Sequence, residues 1–324
     1  MQKSMKAIRL CTKKENKMKK ISIVVPCYNE EKNINNFYEE MIKTLEKVKE
    51  NYSYEIIFVN DGSNDQTEIE VKKVRKTDKN VILISFSRNF GKEAAIYAGL
   101  NNATGDLVAL IDADLQHPPV TILEMIKGIN EGYDVVATKR KNRKGEPVIK
   151  SVFSKLFYKM MRMFIPIEKN VQDFRLMKKE VVDAILSLKE YNRFSKGIFT
   201  WVGFNIKYIE IENIERKAGK TKWSFKKLFS YAIEGITSFT TAPLKASTLM
   251  GFCISIIAII STIVIILQTL IYGKDVPGYA SIITAILFMG GVQLISIGIL
   301  SEYISKMYLE IKKRPKYIIK EKID

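Results

Sequence analysis

Histidine is almost missing from this chain, with one residue of the type, His117, among 324. That excludes His-rich metal centres and any mechanism needing two histidines. Cysteine is nearly as scarce. Cys11, Cys27 and Cys253 lie far apart without paired spacing, so neither a disulfide framework nor a thiolate metal site is indicated. The first strand–helix turn has no glycine-rich phosphate loop, of either the G-x-G-x-x-G or the P-loop pattern, which argues against a Rossmann dehydrogenase or a P-loop NTPase. Negative charge is in deficit too, since 35 Asp+Glu against 52 Lys+Arg leave +17. Such an excess points to nucleic acid or to an anionic membrane surface. No recognised nucleic-acid module appears, and no N-terminal apolar segment suggests a cleaved signal peptide. Hydrophobic residues reach 47%, an ordinary globular share that excludes a disordered tail protein.

Charge is also missing locally. Ala246–Gly273 runs for 28 residues without one, and after Lys274-Asp275 a further 26 run from Val276 to Ser301. About 20 apolar residues cross a bilayer core as a helix. Both stretches are long enough to span, and a pair of buried core helices is the alternative. Lys226, Lys227 and Lys245 precede the first stretch, and Lys306, Lys312, Lys313, Arg314 and Lys316 follow the second. The positive-inside rule therefore puts both termini in the cytoplasm. Gly291 and Gly298 share a helix face and offer a site for close helix packing, hence a homo-oligomer through the spans, or else face lipid.

The preceding region alternates strand and helix. Ile21–Pro26, Tyr54–Val59, Val81–Phe86, Leu107–Ile111 and Asp134–Thr138 read as strands, with helices over 29–49, after Asn64, over 92–101 and from near Pro118. This predicts an α/β domain with a mainly parallel sheet, whose ligands bind at the carboxyl ends of the strands. Polar residues gather there. Strand one ends in Pro26-Cys27-Tyr28-Asn29-Glu30, strand two in Asn60-Asp61-Gly62, and strand four in Asp112-Ala113-Asp114-Leu115-Gln116. Asp61 alone reads equally well as a helix N-cap. Asp112 and Asp114, two residues apart beyond an apolar strand, can hold a hard divalent cation, Mg2+ or Mn2+, and Gln116 can add a neutral oxygen. Zinc is disfavoured, because His and Cys ligands are absent. His117 reads as a packing residue behind the acids rather than a ligand.

These motifs, taken in order, resemble the inverting family 2 glycosyltransferases. The resemblance rests on Val25–Glu30 (VPCYNE), Asn60–Ser63 (NDGS), Ser87–Lys92 (SRNFGK), Asp112–Pro119 (DADLQHPP), Gln172–Leu176 (QDFRL) and Arg216–Trp223 (RKAGKTKW). It is closer to the polyprenyl-phosphate enzymes related to dolichol-phosphate mannose synthase and bactoprenol glucosyltransferases, and covers roughly residues 18–310. The resemblance implies a Rossmann-like GT-A catalytic domain over 18–223, after a disordered basic arm at 1–17. An interfacial helix at 224–245, spans at 246–273 and 276–301, and a basic cytoplasmic tail at 302–324 would follow. It implies that Pro26, Tyr28, Glu30, Asp61, Asp112 and Lys222 bind the nucleotide sugar, and that Asp112, Asp114 and Gln116 hold the metal. Arg140, Lys150 and Ser154 would meet the acceptor phosphate, and Arg216 a phosphate of donor or acceptor. Thr221 and Trp223 depart from the commoner Ser and Tyr, which puts only local contacts in doubt.

The implied reaction moves a hexose from a nucleotide-diphosphate sugar, UDP-linked by resemblance to the bacterial subgroup, to undecaprenyl phosphate. A phosphate monoester has its second pKa near ~6 and arrives already charged, so no general base is required. Asp173 is therefore expected to orient Arg175 or the sugar, or to make a structural salt bridge. Phe153, Leu156, Phe157, Met160, Met161 and Phe164 recur at helical spacing opposite Lys155, Lys159 and Arg162, and Phe225–Ile236 repeats the pattern. Both read as amphipathic helices in the headgroup plane, or as ordinary helices facing a core. Two alternatives stay open. One is a membrane-anchored family 2 enzyme acting on a glycan hydroxyl. The other is a non-catalytic scaffold of a glycan assembly or flippase complex, for which the intact Asp112/Asp114/Gln116 set has no use. The partners expected are the sugar donor, the lipid phosphate and the bilayer of the inner or plasma membrane.

Overall fold

A computed structural model describes residues 18–141, 171–211, 237, 240–272 and 278–324. The proposed arm at 1–17, both amphipathic segments, and Lys150, Ser154, Arg216 and Lys222 lie outside them. The chain divides into two compact units, one built from the N-terminal region with residues 315–324, the other from residues 190–192 and 223–314.

The first unit is an α/β sandwich. Strands β1 (Lys19–Cys27), β2 (Tyr52–Asn60), β3 (Val81–Phe86) and β4 (Leu107–Leu110) alternate with helices α1 (Ile34–Leu45), α2 (Thr67–Thr77) and α3 (Lys92–Asn102). Then come α4 (Thr121–Asn130), β5 (Val135–Arg140), β6 (Val171–Lys178), α5 (Lys179–Ser187), α6 (Ser195–Trp201) and β7 (Ile206–Ile211). The central strands are apolar on both faces because helices cover both, as parallel sheets require. Ile21, Ile23, Val25, Phe58 and Leu83 pack with Phe37 and Met41 of α1, and Val24 and Val59 receive Gly99 of α3. A Cβ at Gly99 would sit 2.2 Å from a Val24 methyl, so only glycine lets α3 lie this close.

The eight-stranded sheet runs β7-β5-β6-β4-β1-β2-β3-β8, with β8 spanning Ile319–Ile323. β3, β2, β1 and β4 are mutually parallel, as expected. The fifth strand points the same way as these four but does not pair with them, because β6 inserts antiparallel between β4 and β5, and β5 then pairs parallel with β7. One feature corrects the sequence reading. Residues 302–324 are not a simple tail. Helix continues to Lys312, stops where Lys313 turns left-handed at φ 48°, and Ile319–Ile323 adds an antiparallel edge to β3. Its three consecutive charges, Lys320-Glu321-Lys322 between Ile319 and Ile323, suit an exposed edge strand, which a count of lysines reads as tail. Tyr317 stacks on Phe86 with ring centroids 4.9 Å apart, and Ser87 N donates to Ile318 O.

The second unit contains helices α7 (Ala242–Tyr272) and α8 (Tyr279–Lys312). Both are long and apolar enough to cross a membrane. Leu270, Leu287, Leu294 and Ile257 are exposed, which removes the buried-core alternative. Their bounds extend the proposed spans by one helical turn before Ala246 and by three beyond Ser301, since Ala242-Pro243 suits a first helical turn and 302–312 keeps helical pattern.

Candidate active site

The carboxyl ends of β1, β2, β3 and β4 define one rim, and the loops leaving them are tied together by their own side chains. Pairing of β1 with β4 stops at Val24, so Pro26 is tolerated in a central strand. Beyond it Asn29 takes a left-handed backbone at φ 56°, and its side-chain oxygen accepts from Asn64 N at 2.9 Å. Ser63 Oγ accepts from Asn29 N, and Thr67 Oγ1 from Glu30 N. Glu30 accepts from Asn33 Nδ2 at 2.6 Å, and Tyr28 is exposed on the rim.

Asp61 is buried, and its carboxylate accepts from the backbone N–H of Phe90 at 2.6 Å and of Gly91 at 2.9 Å. Burial pushes its carboxyl up, against the pull of those two donors and of Arg88. Asp61 thus clamps the loop after β3. Gly62 makes the close approach possible, as its φ is 62° and a Cβ there would fall 2.3 Å from the Arg88 carbonyl carbon. The loop delivers Lys92 to the first turn of α3.

Lys92 is the centre of the site, and the sequence reading gave it no role. Its ammonium lies 2.8 Å from Asp112 and 2.7 Å from Asp173, joining the end of β4 to β6. Burial pushes the Lys92 ammonium down, but the two carboxylates outweigh it and raise it well above the ordinary lysine range. Burial likewise pushes the Asp173 carboxyl up, but Lys92, Lys196 and Arg175 override it and hold it far below the usual carboxylate range. The Asp173 carboxylate therefore goes to Lys92. Arg175 is oriented by backbone instead, donating to the Asp173 and Gln172 carbonyls, with its guanidinium 3.6 Å from the Phe199 ring centre. Full burial pushes Arg175 down to about 10.

Glu93, beside Lys92, accepts from the backbone N–H and hydroxyl of Ser195 and so fixes the start of α6, which bears Lys196. Burial raises the Glu93 carboxyl. One sequence signal pointed here. Gly91-Lys92-Glu93 places two charges in the first turn of a helix following a strand's carboxyl end.

Asp114 accepts from Gln116 N at 3.1 Å, while Leu115 between them is left-handed at φ 55°. His117 is buried and stacked on Phe174 with centroids 5.8 Å apart. Burial pushes its imidazole down, although Asp112 and Asp114 pull the other way, and Nδ1 has no hydrogen-bond partner among the described residues. Arg140 stands half-buried at the end of β5. Of the proposed site residues, Pro26, Tyr28, Glu30, Asp61, Asp112, Asp114, Gln116, Arg140 and Asp173 are described, and all belong to strand ends of this unit.

Among the described residues no group of three His, Cys, Asp or Glu could enclose a metal by itself. The donors that are present, two carboxylates and one amide oxygen on one loop, fit a hard cation whose shell is completed by phosphate and water. They do not fit zinc.

Comparison with known proteins gives the chain's relatives. Residues 22–186 match the family described as glycosyl transferase family 2, and residues 242–307 match the GtrB C-terminal hairpin. The chain is 47% identical over 93% of its length to the putative glycosyltransferase CsbB of Bacillus subtilis, covering 91% of that protein. It is 46% identical to the prophage bactoprenol glucosyl transferase homolog of Escherichia coli, with 93% of this chain and 98% of that one covered. Among solved structures, mannosyl-3-phosphoglycerate synthase from Rubrobacter xylanophilus is 17% identical at a TM-score of 0.46, covering 67% of this chain and 71% of that one.

Proposed function

The chain belongs to glycosyl transferase family 2, and on that premise we propose that it transfers a hexose from a nucleotide-diphosphate sugar to a polyprenyl phosphate at a membrane surface. One observation carries the reading. Near-full-length identity of about 45% links it to proteins named bactoprenol glucosyl transferase, across the GT-A domain and both apolar helices. UDP-glucose or a related UDP-sugar is the proposed donor, and undecaprenyl phosphate the acceptor. The site faces the cytoplasm in this reading, with both termini on that side of the inner or plasma membrane.

Transfer is inverting. An acceptor phosphate oxygen bonds to the anomeric carbon as the bond to the nucleotide diphosphate breaks on the opposite face. Asp112, Asp114 and Gln116 would hold Mg2+ or Mn2+, which when bound supplies Lewis-acid neutralisation of the leaving diphosphate. Pro26, Tyr28 and Glu30 are the proposed contacts for base and ribose, together with Asp61, which also holds the loop after β3. Asp173 is a poor base, because Lys92 and Lys196 keep it ionised against protonation. A dianionic phosphate needs none, so the protein's task is to hold nucleophile and sugar in line. Arg140, and Lys150, Ser154, Arg216 and Lys222 outside the described residues, are the proposed phosphate contacts. A homo-oligomer through the apolar helices and a flippase partner fit a hairpin of this kind.

The test incubates the purified full chain with Mn2+, undecaprenyl phosphate and a panel of UDP- and GDP-sugars. Lipid-linked monosaccharide from one donor is expected. Transfer to a glycan hydroxyl, or hydrolysis without a lipid product, overturns the proposal.

A further inference from the structure

Lys92 has two carboxylate partners, and they differ in what else they are asked to do. Asp112 belongs to the loop whose oxygens suit a divalent cation, whereas Asp173 sits on β6, outside that loop. The ammonium reaches both at once, 2.8 Å from Asp112 and 2.7 Å from Asp173. A cation on Asp112 and an ammonium on the same oxygens repel each other strongly at such separations. Lys92 can let go of Asp112 without losing its counter-ion, because Asp173 remains. Its backbone is fixed, since Asp61 clamps Phe90 and Gly91 immediately before it. The side chain is the part left to move.

We propose that Lys92 is a built-in counter-cation of the metal loop, occupying Asp112 while the donor is absent and retiring to Asp173 when metal and nucleotide diphosphate arrive together. This rests on the reading of Asp112, Asp114 and Gln116 as the metal loop. Lys92 is on this account a positioning residue, not a metal ligand. It opposes binding of the metal alone, and the negative diphosphate relieves that opposition. Metal and nucleotide then bind with positive coupling, each tightening the other by the same factor. The free enzyme keeps its acids paired and does not sequester stray cations.

The experiment measures Mn2+ binding by electron paramagnetic resonance to the detergent-solubilised full chain, with and without UDP. Lys92→Met is expected to tighten UDP-free Mn2+ binding by roughly 5- to 50-fold and to shrink the coupling to UDP. Asp173→Asn is expected to act oppositely, weakening UDP-free binding, because it leaves the ammonium committed to Asp112. In a Lys92→Met background, Asp173→Asn should lose most of that effect. Lys196→Met, which removes a charge felt by Asp173 but not joined to Asp112, should leave UDP-free affinity within about twofold. Wild type that binds Mn2+ with UDP while Lys92→Met shows no tightening overturns this inference and spares the metal loop. No Mn2+ binding by wild type under either condition overturns both. Unchanged melting temperatures identify the variants as folded, and Lys92→Arg, which keeps the charge, should keep the coupling.

Discussion

The sheet sets a carboxylate against a lysine at each of its two ends, and the two arrangements differ in what is left over. At the amino end, Glu55 accepts from Ser22 Oγ at 2.5 Å, Thr104 N at 2.7 Å and Lys20 Nζ at 2.6 Å. One acid meets one base, and the surrounding hydroxyls complete the shell. At the carboxyl end, Lys92 serves Asp112 and Asp173 together, with Asp114 and Glu93 close by in sequence. One ammonium is shared between two carboxylates there, while Lys196 and Arg175 add positive charge beside Asp173, and the Asp112 carboxylate is left partly open. A satisfied pair ties β1, β2 and the turn before β4 together. In the proposed function the shared one would meet a cation and a charged substrate. On that reading the same chemistry would serve stability at one end and binding at the other, with the sharing of one ammonium making the difference.

Several substitutions probe that contrast. The largest effect is expected from Asp114→Asn, which should lower lipid-linked sugar formation by about a thousandfold while leaving the melting temperature nearly unchanged. Its hydrogen bond from Gln116 N is local, and the amide oxygen of the Asn variant can accept the same bond. Glu55→Ala should do the reverse, costing about 2–3 kcal/mol of stability in denaturant unfolding with turnover per folded molecule preserved. Equal loss of activity in both variants would erase the distinction. Asp173→Asn comes next, lowering turnover by about tenfold to a hundredfold, less than Asp114→Asn. If it proved as inactive as Asp114→Asn, the argument that no base is needed would fail.

The smallest effect concerns pH. Burial alone would raise the Glu55 carboxyl, but hydrogen bonds from Lys20, Ser22 and Thr104 bring it below its ordinary value of 4.5. A depressed folded value means the contribution is complete above the unfolded value and is lost as pH falls through the folded one. The melting-temperature gap between wild type and Glu55→Gln should therefore hold from pH 7 down to about 5 and close below about 4. A gap that widened on acidification would show that Glu55 is held neutral instead.

The parallel strands and the two long helices were legible because their signals are local. Ile21–Pro26 is continuously apolar, and no charge interrupts Ala246–Gly273. Strand β6 was not, because Asp173 and Arg175 within Val171–Lys178 disguise a buried strand. Arg175 is tolerated there only through carbonyl partners and Phe199, none of which its own sequence neighbourhood announces fully. Asp112 and Asp114 could be nominated from spacing. Lys92 had only its place in the first turn of α3 to suggest it, since its partners lie 20 and 81 residues away.

Strand β8 has a consequence for how the molecule is made. Ile323 lies beside Leu83 in the sheet, yet both apolar helices are synthesised between them. The edge of β3 must wait, without β8, while the two long apolar helices are synthesised. Domains that fold during synthesis normally complete themselves before the next begins. Here the first unit closes only after both apolar helices have been made. A chain interrupted before residue 319 leaves the β3 edge open, the kind of surface that recruits other chains, so the sheet of the first unit depends on residues made after both apolar helices.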